Sequence, residues 1–247
     1  MPTILNVNFD LISYRQAFDT ISGWKRNGES HYVTITNPHS VMMCHRDTEM
    51  RKATESAGMV MPDGTGIIWA AKIFGYAHSG RVSGPTLMLK VCDWGREDGL
   101  RHFFYGGTEG IADKLTEKLI AKYPGLEVAG TYCPSFRKIS KKEDAEIVEM
   151  INEAKPDILW VGLGAPKQEV WMLDHLGQIE AAAMIGVGAA FDFHSGNVKW
   201  APKIVRRLGI EWAWRLLENP KRMWRRNLDS PIFLAKVFFQ KMFKNRC

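Results

Sequence analysis

The stretch Met61-Pro62-Asp63-Gly64-Thr65-Gly66 decides the fold of this chain. A short apolar run, 58–61, leads into it and an apolar helical pattern, Ile67–Ile73, leads out, which predicts a strand, a tight turn and a helix. The two glycines permit backbone angles that a Cβ would resist. Asp63 is then at the carboxyl end of a strand, the edge at which open α/β sheets bind ligands. A helix cap is the simpler role for this acid, and the rest of the chain decides between capping and catalysis.

The order of strand, turn and helix recurs on both sides of this stretch. Residues 4–12 are predicted to form a strand or a small hairpin, and Ser13 and Gln16 form a capping box that opens the first helix. Apolar or β-branched runs predict further strands over 31–36, 101–105, 126–131, 157–161 and 181–187. Helical patterns of 10 to 15 residues separate them. This alternation predicts an α/β fold, a Rossmann-like and mostly parallel sheet with helices on both faces.

Charge is unequally divided along the 247 residues. Residues 199–247 contain 13 Lys/Arg and 3 Asp/Glu, whereas the remaining residues contain 20 basic and 24 acidic groups. We therefore predict an α/β catalytic domain over 1–198 and a basic helical appendage over 199–247. An asymmetry of this kind indicates an anionic partner that docks at one end of the molecule.

The appendage is also rich in aromatic residues, with four of the nine tryptophans. Helices are predicted over 204–217 and 221–227, and Ser230-Pro231 is predicted to start a final one over 232–243. This last segment sets large apolar side chains against lysines, which is typical of a helix that lies in a membrane interface and is too short to span it. Its alternative is a helix packed on the body with a solvated basic face. Stacking aromatics amid positive charge also suit single-stranded nucleic acid, which gives the alternative function of a nucleic-acid-binding protein.

The four cysteines are scattered and none has metal-ligand spacing. The first ten residues lack the basic-then-apolar pattern of a secretory signal. We expect reduced thiols in a cytoplasmic protein, and the amphipathic last segment adds the expectation that it binds peripherally to a membrane. The sequence leaves the oligomeric state open, with a homo-oligomer as one alternative.

Several predicted loops at strand ends carry candidate site residues. Asn37 precedes a proline at a strand end, where it can cap a helix or contact a ligand. Arg81 lies in a loop with flanking glycines, from which it can reach an anion. The turn at Gly106-Gly107 resembles a phosphate-binding turn, and a plain turn between strand and helix is equally compatible with it. Lys167, in the first turn of a helix, opposes the helix dipole, which indicates a functional role.

Seven motifs, taken in order and spacing, carry a family resemblance over nearly the whole chain. They are Asn37-Pro38, Pro62-Asp63-Gly64-Thr65-Gly66, Gly84-Pro85, Phe104-Tyr105-Gly106-Gly107, Gly164-Ala165-Pro166-Lys167-Gln168-Glu169, Gly186 to Phe193, and Glu211-Trp212…Arg215-Leu216…Pro220-Lys221-Arg222. Together they resemble the WecG/TagA/CpsF family of bacterial glycosyltransferases. The chain departs from many relatives at Trp200-Ala201-Pro202, where they carry Arg-Ala-Pro.

The resemblance implies transfer of a sugar from a UDP-sugar to an undecaprenyl-pyrophosphate-linked sugar at the cytoplasmic membrane face, in the synthesis of surface polysaccharides. N-acetylmannosamine, its uronic acid and glucose all stay open as the donor sugar, because sugar choice depends on a few pocket contacts. A Rossmann-type oxidoreductase is disfavoured because the chain lacks a GxGxxG fingerprint with its trailing acid.

The predicted chemistry uses neither a metal nor another cofactor. No Asp in the chain is followed two residues later by a second Asp, the pair with which many nucleotide-sugar enzymes hold a divalent ion. The resemblance agrees with metal-independent transfer and implies inversion at the anomeric carbon, for which one carboxylate deprotonates the acceptor. Asp63 is our choice for that base, with Arg81 and Gln168 as its active-site partners.

The remaining candidates contact the two substrates. Asn37, Gly106, Gly107, Lys167 and Asp192 are expected to contact the nucleotide sugar, and Asp192 is equally compatible with a structural cap. Arg215, Arg222 and Arg225 have spacings of seven and three, compatible with one helical face. We expect these arginines to bind the pyrophosphate of the acceptor, with solvated surface arginines as the alternative.

Overall fold

A six-stranded sheet forms the centre of the protein. The computed structural model describes residues 2–135, 137, 139–218 and 220–244, with the backbone alone for Arg207, Arg222, Arg225, Arg226 and Lys244. The sheet strands are β3 (His31–Thr36), β4 (Met59–Pro62), β5 (Arg101–Gly106), β6 (Glu127–Tyr132), β7 (Ile158–Gly162) and β8 (Ala183–Gly186), preceded by the short strands β1 (Thr3–Ile4) and β2 (Val7–Asn8). The sheet order is β4-β3-β8-β7-β5-β6 and every pair is parallel. The predicted Rossmann-like α/β fold is therefore confirmed.

Helices connect the strands and cover both faces of the sheet. They are α1 (Tyr14–Asn27), α2 (Pro38–Arg46), α3 (Thr48–Glu55), α4 (Thr65–Phe74), α5 (Gly84–Trp94), α6 (Ile111–Lys122), α7 (Lys141–Glu153), α8 (Lys167–Asp174) and α9 (Ala190–Ser195). The capping box of Ser13 and Gln16 opens α1 as predicted. The hairpin of β1 and β2 is also confirmed. Helix α3, which Asp47 caps, was not predicted.

The apolar core lies on both sides of the sheet because a parallel strand is buried on both faces. In β7, Ile158 and Trp160 join one cluster of buried side chains, and Leu159 and Val161 join the cluster on the opposite face. The strand period of two residues thus divides one apolar run between two cores.

Three helices follow the sheet: α10 (Lys203–Leu208), α11 (Glu211–Glu218) and α12 (Pro220–Lys244). The prediction of one helix over 204–217 is wrong, because Gly209 adopts a left-handed φ of 72° and ends α10. The prediction of a break at Ser230-Pro231 is also wrong, since α12 continues through Pro231. Asp229 and Phe233, on either side of this proline, are both buried against the body, so packing holds the two halves in one helix.

Helix α12 packs against α2 and α4 by one face. Phe233 and Val237 are fully buried in the same cluster as Val41 and Ile67. The C-terminal segment (residues 199–244) therefore shares an apolar core with the body (residues 2–198). Among the residues that the structure describes, no helix combines the length and the apolar character needed to cross a bilayer.

Candidate active site

Asp63 lies at the carboxyl edge of the sheet, as predicted from its position after β4. The parallel register pairs Thr36 with Pro62, so Asn37 and Asp63 follow neighbouring strands at the same edge. The backbone N–H of Asp63 donates to the carbonyl of Thr36 at 2.9 Å. Gly64 has a φ of 88°, and a Cβ at this position would lie 3.3 Å from Cδ of Pro38. The backbone angle favours glycine here, and a Cβ would in addition crowd Pro38.

Two carboxylates share Arg81 at this edge. The Arg81 Nε lies 3.7 Å from Oδ1 of Asp63, and its Nη2 donates to Oε2 of Glu211 at 2.7 Å. Glu211 begins α11, so the C-terminal segment contributes to the site. The Asp63 side chain keeps 27% of its surface exposed and is therefore accessible to a substrate.

The surroundings of Asp63 change its affinity for a proton. Burial raises the pKa of Asp63 above its ordinary value. The positive charge of Arg81 opposes this rise, the negative charge of Glu211 adds to it, and Arg215 on α11 opposes it. A carboxylate with a raised pKa is a stronger base near neutral pH, which suits the predicted role of Asp63.

Aromatic side chains connect the C-terminal segment to α9. The Arg215 guanidinium carbon lies 5.0 Å from the ring centre of Phe193, which stacks on Trp200 at 6.0 Å. The Trp200 indole N–H donates to Oε1 of Glu211 at 3.3 Å, and the Arg206 guanidinium lies over the indole at 3.6 Å. Trp200, the departure from the family pattern, is therefore part of the contact that holds Glu211.

The loops after β5 and β7 pack against each other through glycines. A Cβ on Gly106 would lie 2.6 Å from the backbone of Gly162, and the N–H of Gly107 donates to the carbonyl of Gly162 at 3.3 Å. The chain leaves β5 toward β6 and leaves β7 toward β8, in opposite directions along the sheet. Open α/β sheets bind ligands at such switch points, so the position of Gly106 and Gly107 is compatible with their predicted contact to a nucleotide.

Gln168 connects two loops within the protein. Its Oε1 accepts from the N–H groups of Gly164 and Gly188 at 3.2 and 3.1 Å, and its Nε2 donates to Glu169 at 2.9 Å. The side chain is buried, and these bonds go to the loops after β7 and β8 rather than to Asp63 or Arg81. This geometry supports a role in positioning the loops, and substrate contact by Gln168 stays a prediction.

The other predicted site residues are distributed along the same edge. Asn37 accepts from the N–H of Ser40 at 3.1 Å and caps α2. Lys167 is exposed at the start of α8. Asp192, in α9, accepts from the Asn197 side chain at 2.9 Å. The side chains of Arg222 and Arg225 lie outside the described part of the structure, so their predicted role is not compared with it.

Glu211 is the site residue that the sequence reasoning missed. The C-terminal segment contains only three acids, and two of them bind the body: Glu211 at Arg81, and Asp229 at His39 and Arg46. Rare acids in a strongly basic segment are a signal that could have found both. The described residues contain no cluster of three or more His, Cys, Asp or Glu arranged to hold a metal ion.

The fold and site together define a Rossmann-like α/β enzyme whose carboxylate and arginines lie at the open edge of its sheet. The chain belongs to the family described as Glycosyl transferase WecG/TagA/CpsF family, whose sequence pattern matches residues 2–247. The predicted family and the predicted enzyme class, a glycosyltransferase, are thereby confirmed.

Two similar proteins have the same name, N-acetylglucosaminyldiphosphoundecaprenol N-acetyl-beta-D-mannosaminyltransferase. The one from Bacillus spizizenii is 31% identical over 206 residues, which cover 83% of this chain and 78% of that protein. The one from Staphylococcus aureus is 29% identical over 236 residues, which cover 95% of this chain and 91% of that protein. The likeness therefore extends over most of both chains.

Proposed function

We propose that the protein transfers N-acetylmannosamine from its UDP derivative to N-acetylglucosaminyl-diphosphoundecaprenol, with inversion and without a metal ion. The observation that carries the proposal is the partly exposed Asp63 beside Arg81 and Arg215, at the carboxyl edge of the sheet. The names of the two relatives favour N-acetylmannosamine over its uronic acid and glucose.

In the proposed reaction, Asp63 accepts the proton of the acceptor hydroxyl as that oxygen attacks the anomeric carbon. The bond from the acceptor oxygen to this carbon forms, the bond from the carbon to the UDP oxygen breaks, and UDP leaves with the electron pair. Arg81 offers a planar set of N–H donors that matches phosphate oxygens, and it stabilises the charge on the departing diphosphate. Inversion follows because attack and departure take place on opposite sides of the carbon.

The nucleotide is proposed to bind over the switch point between β5 and β7. We propose that the turn at Gly106 and Gly107 lines this crevice and lies against the diphosphate of the nucleotide. Asn37, Lys167 and Asp192 are retained as contacts to the nucleotide sugar. Arg215, Arg222 and Arg225 are retained as contacts to the pyrophosphate of the acceptor.

The acceptor is proposed to reach this site from the inner face of the membrane. Twelve of the sixteen large apolar side chains exposed among the described residues lie within residues 204–243. At about 100° per residue, Trp224, Leu228 and Met242 point away from the buried Phe233. An apolar stripe on a basic helix favours the interface of an anionic bilayer, and the same stripe argues against nucleic acid as the partner.

A donor comparison tests this proposal. The enzyme is mixed with a synthetic N-acetylglucosaminyl-diphosphate lipid and, in turn, with UDP-N-acetylmannosamine, its uronic acid and UDP-glucose. We expect acceptor-dependent UDP release with the first donor and the same rate in excess EDTA. Absence of acceptor-dependent release from every donor contradicts the proposed function. Loss of activity in EDTA that magnesium restores contradicts metal independence alone.

A further inference from the structure

Glu211 belongs to the C-terminal segment and contacts Arg81 at the carboxyl edge of the sheet, and both of its carboxylate oxygens accept hydrogen bonds. One accepts from Arg81 at 2.7 Å and the other accepts from the Trp200 indole at 3.3 Å. The side chain is only 14% exposed, so this contact is well shielded from water. Charge-assisted hydrogen bonds of this length are among the stronger polar contacts in proteins.

Arg81 is shared unequally between the two carboxylates. The 3.7 Å from its Nε to Asp63 is too long for a hydrogen bond, whereas its bond to Glu211 is short. An arginine free of Glu211 can form a two-point ion pair with Asp63. That pair would weaken Asp63 as a base, since an opposite charge in direct contact favours the ionised carboxylate.

We propose that Glu211 is a positioning residue that holds Arg81 away from a tight pair with Asp63 and presents it to the diphosphate of the substrate. This inference rests on the proposed function, because it assumes that Asp63 is the base. It gives the C-terminal segment a task in the reaction itself: Asp63 has its full basicity only while α11 is in place.

The charged groups that face Asp63 are consistent with this inference. Arg81 comes from the loop before α5, and Glu211 and Arg215 come from α11. Two of these three groups belong to the C-terminal segment. The start of α11 is also close to α4, because a Cβ on Gly209 would lie 2.0 Å from Cγ2 of Thr65. A displacement of α11 therefore removes Glu211 and changes the charge around Asp63 in one event.

The test is a titration of the Asp63 carboxyl that does not depend on enzyme activity. Protein labelled with carboxyl-13C aspartate is titrated by NMR, and the signal absent from Asp63→Asn is assigned to Asp63. In Glu211→Gln we expect the pKa of Asp63 to fall by roughly one unit, as for a carboxylate brought closer to an arginine. Glu211→Asp is expected to restore part of the difference.

Glu218→Gln is the matched control, because Glu218 is exposed at the other end of α11. We expect its titration to match that of the wild type. An unchanged Asp63 titration in Glu211→Gln overturns the inference, and so does a rise of its pKa. Thermal unfolding of the four variants verifies that each is folded at the temperature of the titration.

Sugar transfer is the second readout. In Glu211→Gln we expect about a tenfold lower kcat, the scale of a weakened base, and an acid limb of the kcat/KM profile that moves to lower pH. Wild-type turnover with an unmoved acid limb in this variant overturns the inference and leaves the proposed function intact. A shifted NMR titration in a protein that transfers no sugar overturns the proposed function and leaves the positioning of Arg81 intact.

Discussion

The body and the C-terminal segment differ most in what they leave exposed. Among the described residues, the body exposes four large apolar side chains, Trp69, Ile120, Leu176 and Val198, whereas the shorter segment exposes twelve. Yet the same segment buries Phe233 and Val237 completely. The body buries most of its large apolar side chains. The segment buries them only on the face that packs on the body. The outer face is therefore suited to a partner outside the protein.

Polar contacts show the same division. Asp229 is buried in α12, where it accepts from Nδ1 of His39 and Nη2 of Arg46 at 2.5 Å each. Glu211 makes the corresponding contact with Arg81 at the catalytic edge. Two acids of the segment, Glu211 and Asp229, thus attach it to the body, whereas many of its described apolar side chains are exposed. This difference supports the proposal that the body carries the base and that the segment brings the lipid-linked substrate to it.

Removing the proposed base, Asp63, has the largest expected effect. Asp63→Asn keeps the size of the side chain and removes its ability to accept a proton, so we expect a loss of ~10²–10⁴-fold in kcat. The loss is expected with acceptor in vesicles and with a short-chain soluble acceptor alike. Initial rates, measured beside thermal unfolding, check this expectation. Turnover within tenfold of wild type by a folded variant removes Asp63 from the role.

The second-largest effect is expected from a change on the face of α12 that packs on the body. Phe233→Ala leaves a cavity in the apolar cluster, and we expect the free energy of unfolding to fall by ~3–5 kcal/mol. Phe238→Ala, at a side chain 57% exposed on the same helix, is the matched control with an expected change below ~0.5 kcal/mol. Urea denaturation measures both. Equal changes for the two variants contradict the division of α12 into inner and outer faces.

A smaller effect is expected at the polar attachment of α12. Burial raises the pKa of Asp229, but the hydrogen bonds from Arg46 and His39 outweigh it and hold that pKa below its ordinary value. We expect Asp229→Asn to lower the free energy of unfolding by ~1–3 kcal/mol at pH 7.

The pH dependence of this effect follows from the lowered pKa. The stabilisation from the ionised Asp229 is fully present above the unfolded-state pKa of about 4 and is lost as pH falls through the lower folded-state value. Urea titrations of wild type and Asp229→Asn are therefore expected to converge over the pH range below about 4. A constant difference across this range means that ionisation of Asp229 contributes nothing.

The sheet and its loops were predictable because their signals are local. A period of two residues identifies a strand, and the glycines beside Asp63 identify the turn within six residues. The start of α1 followed from Ser13 and Gln16, which are three positions apart. Strand order was not predicted, since it depends on which helix packs on which face.

The site was predictable only in its local part. The loops of Asp63 and Arg81 predicted where these residues lie, but the contact between Arg81 and Glu211 joins residues 130 positions apart, which no short sequence pattern predicts. Gln168 was placed at the right strand end, while its bond to Gly188 depends on two loops meeting. Helix α12 likewise continues through Pro231 because it packs against α2 and α4. Helix propensity is a local property and does not predict such packing.

The central claim is that the exposed face of α12 binds the membrane while the body carries the base. A change on that exposed face tests it most directly. Transfer to acceptor in anionic vesicles and to a short-chain soluble acceptor is measured for wild type and for Phe238→Ser/Phe239→Ser, which alters two exposed side chains. We expect the variant to lose about tenfold in rate with vesicles, from about 1.4 kcal/mol of lost apolar burial, and to match wild type with the soluble acceptor. An equal rate with vesicles, or an equal loss with both acceptors, contradicts the account.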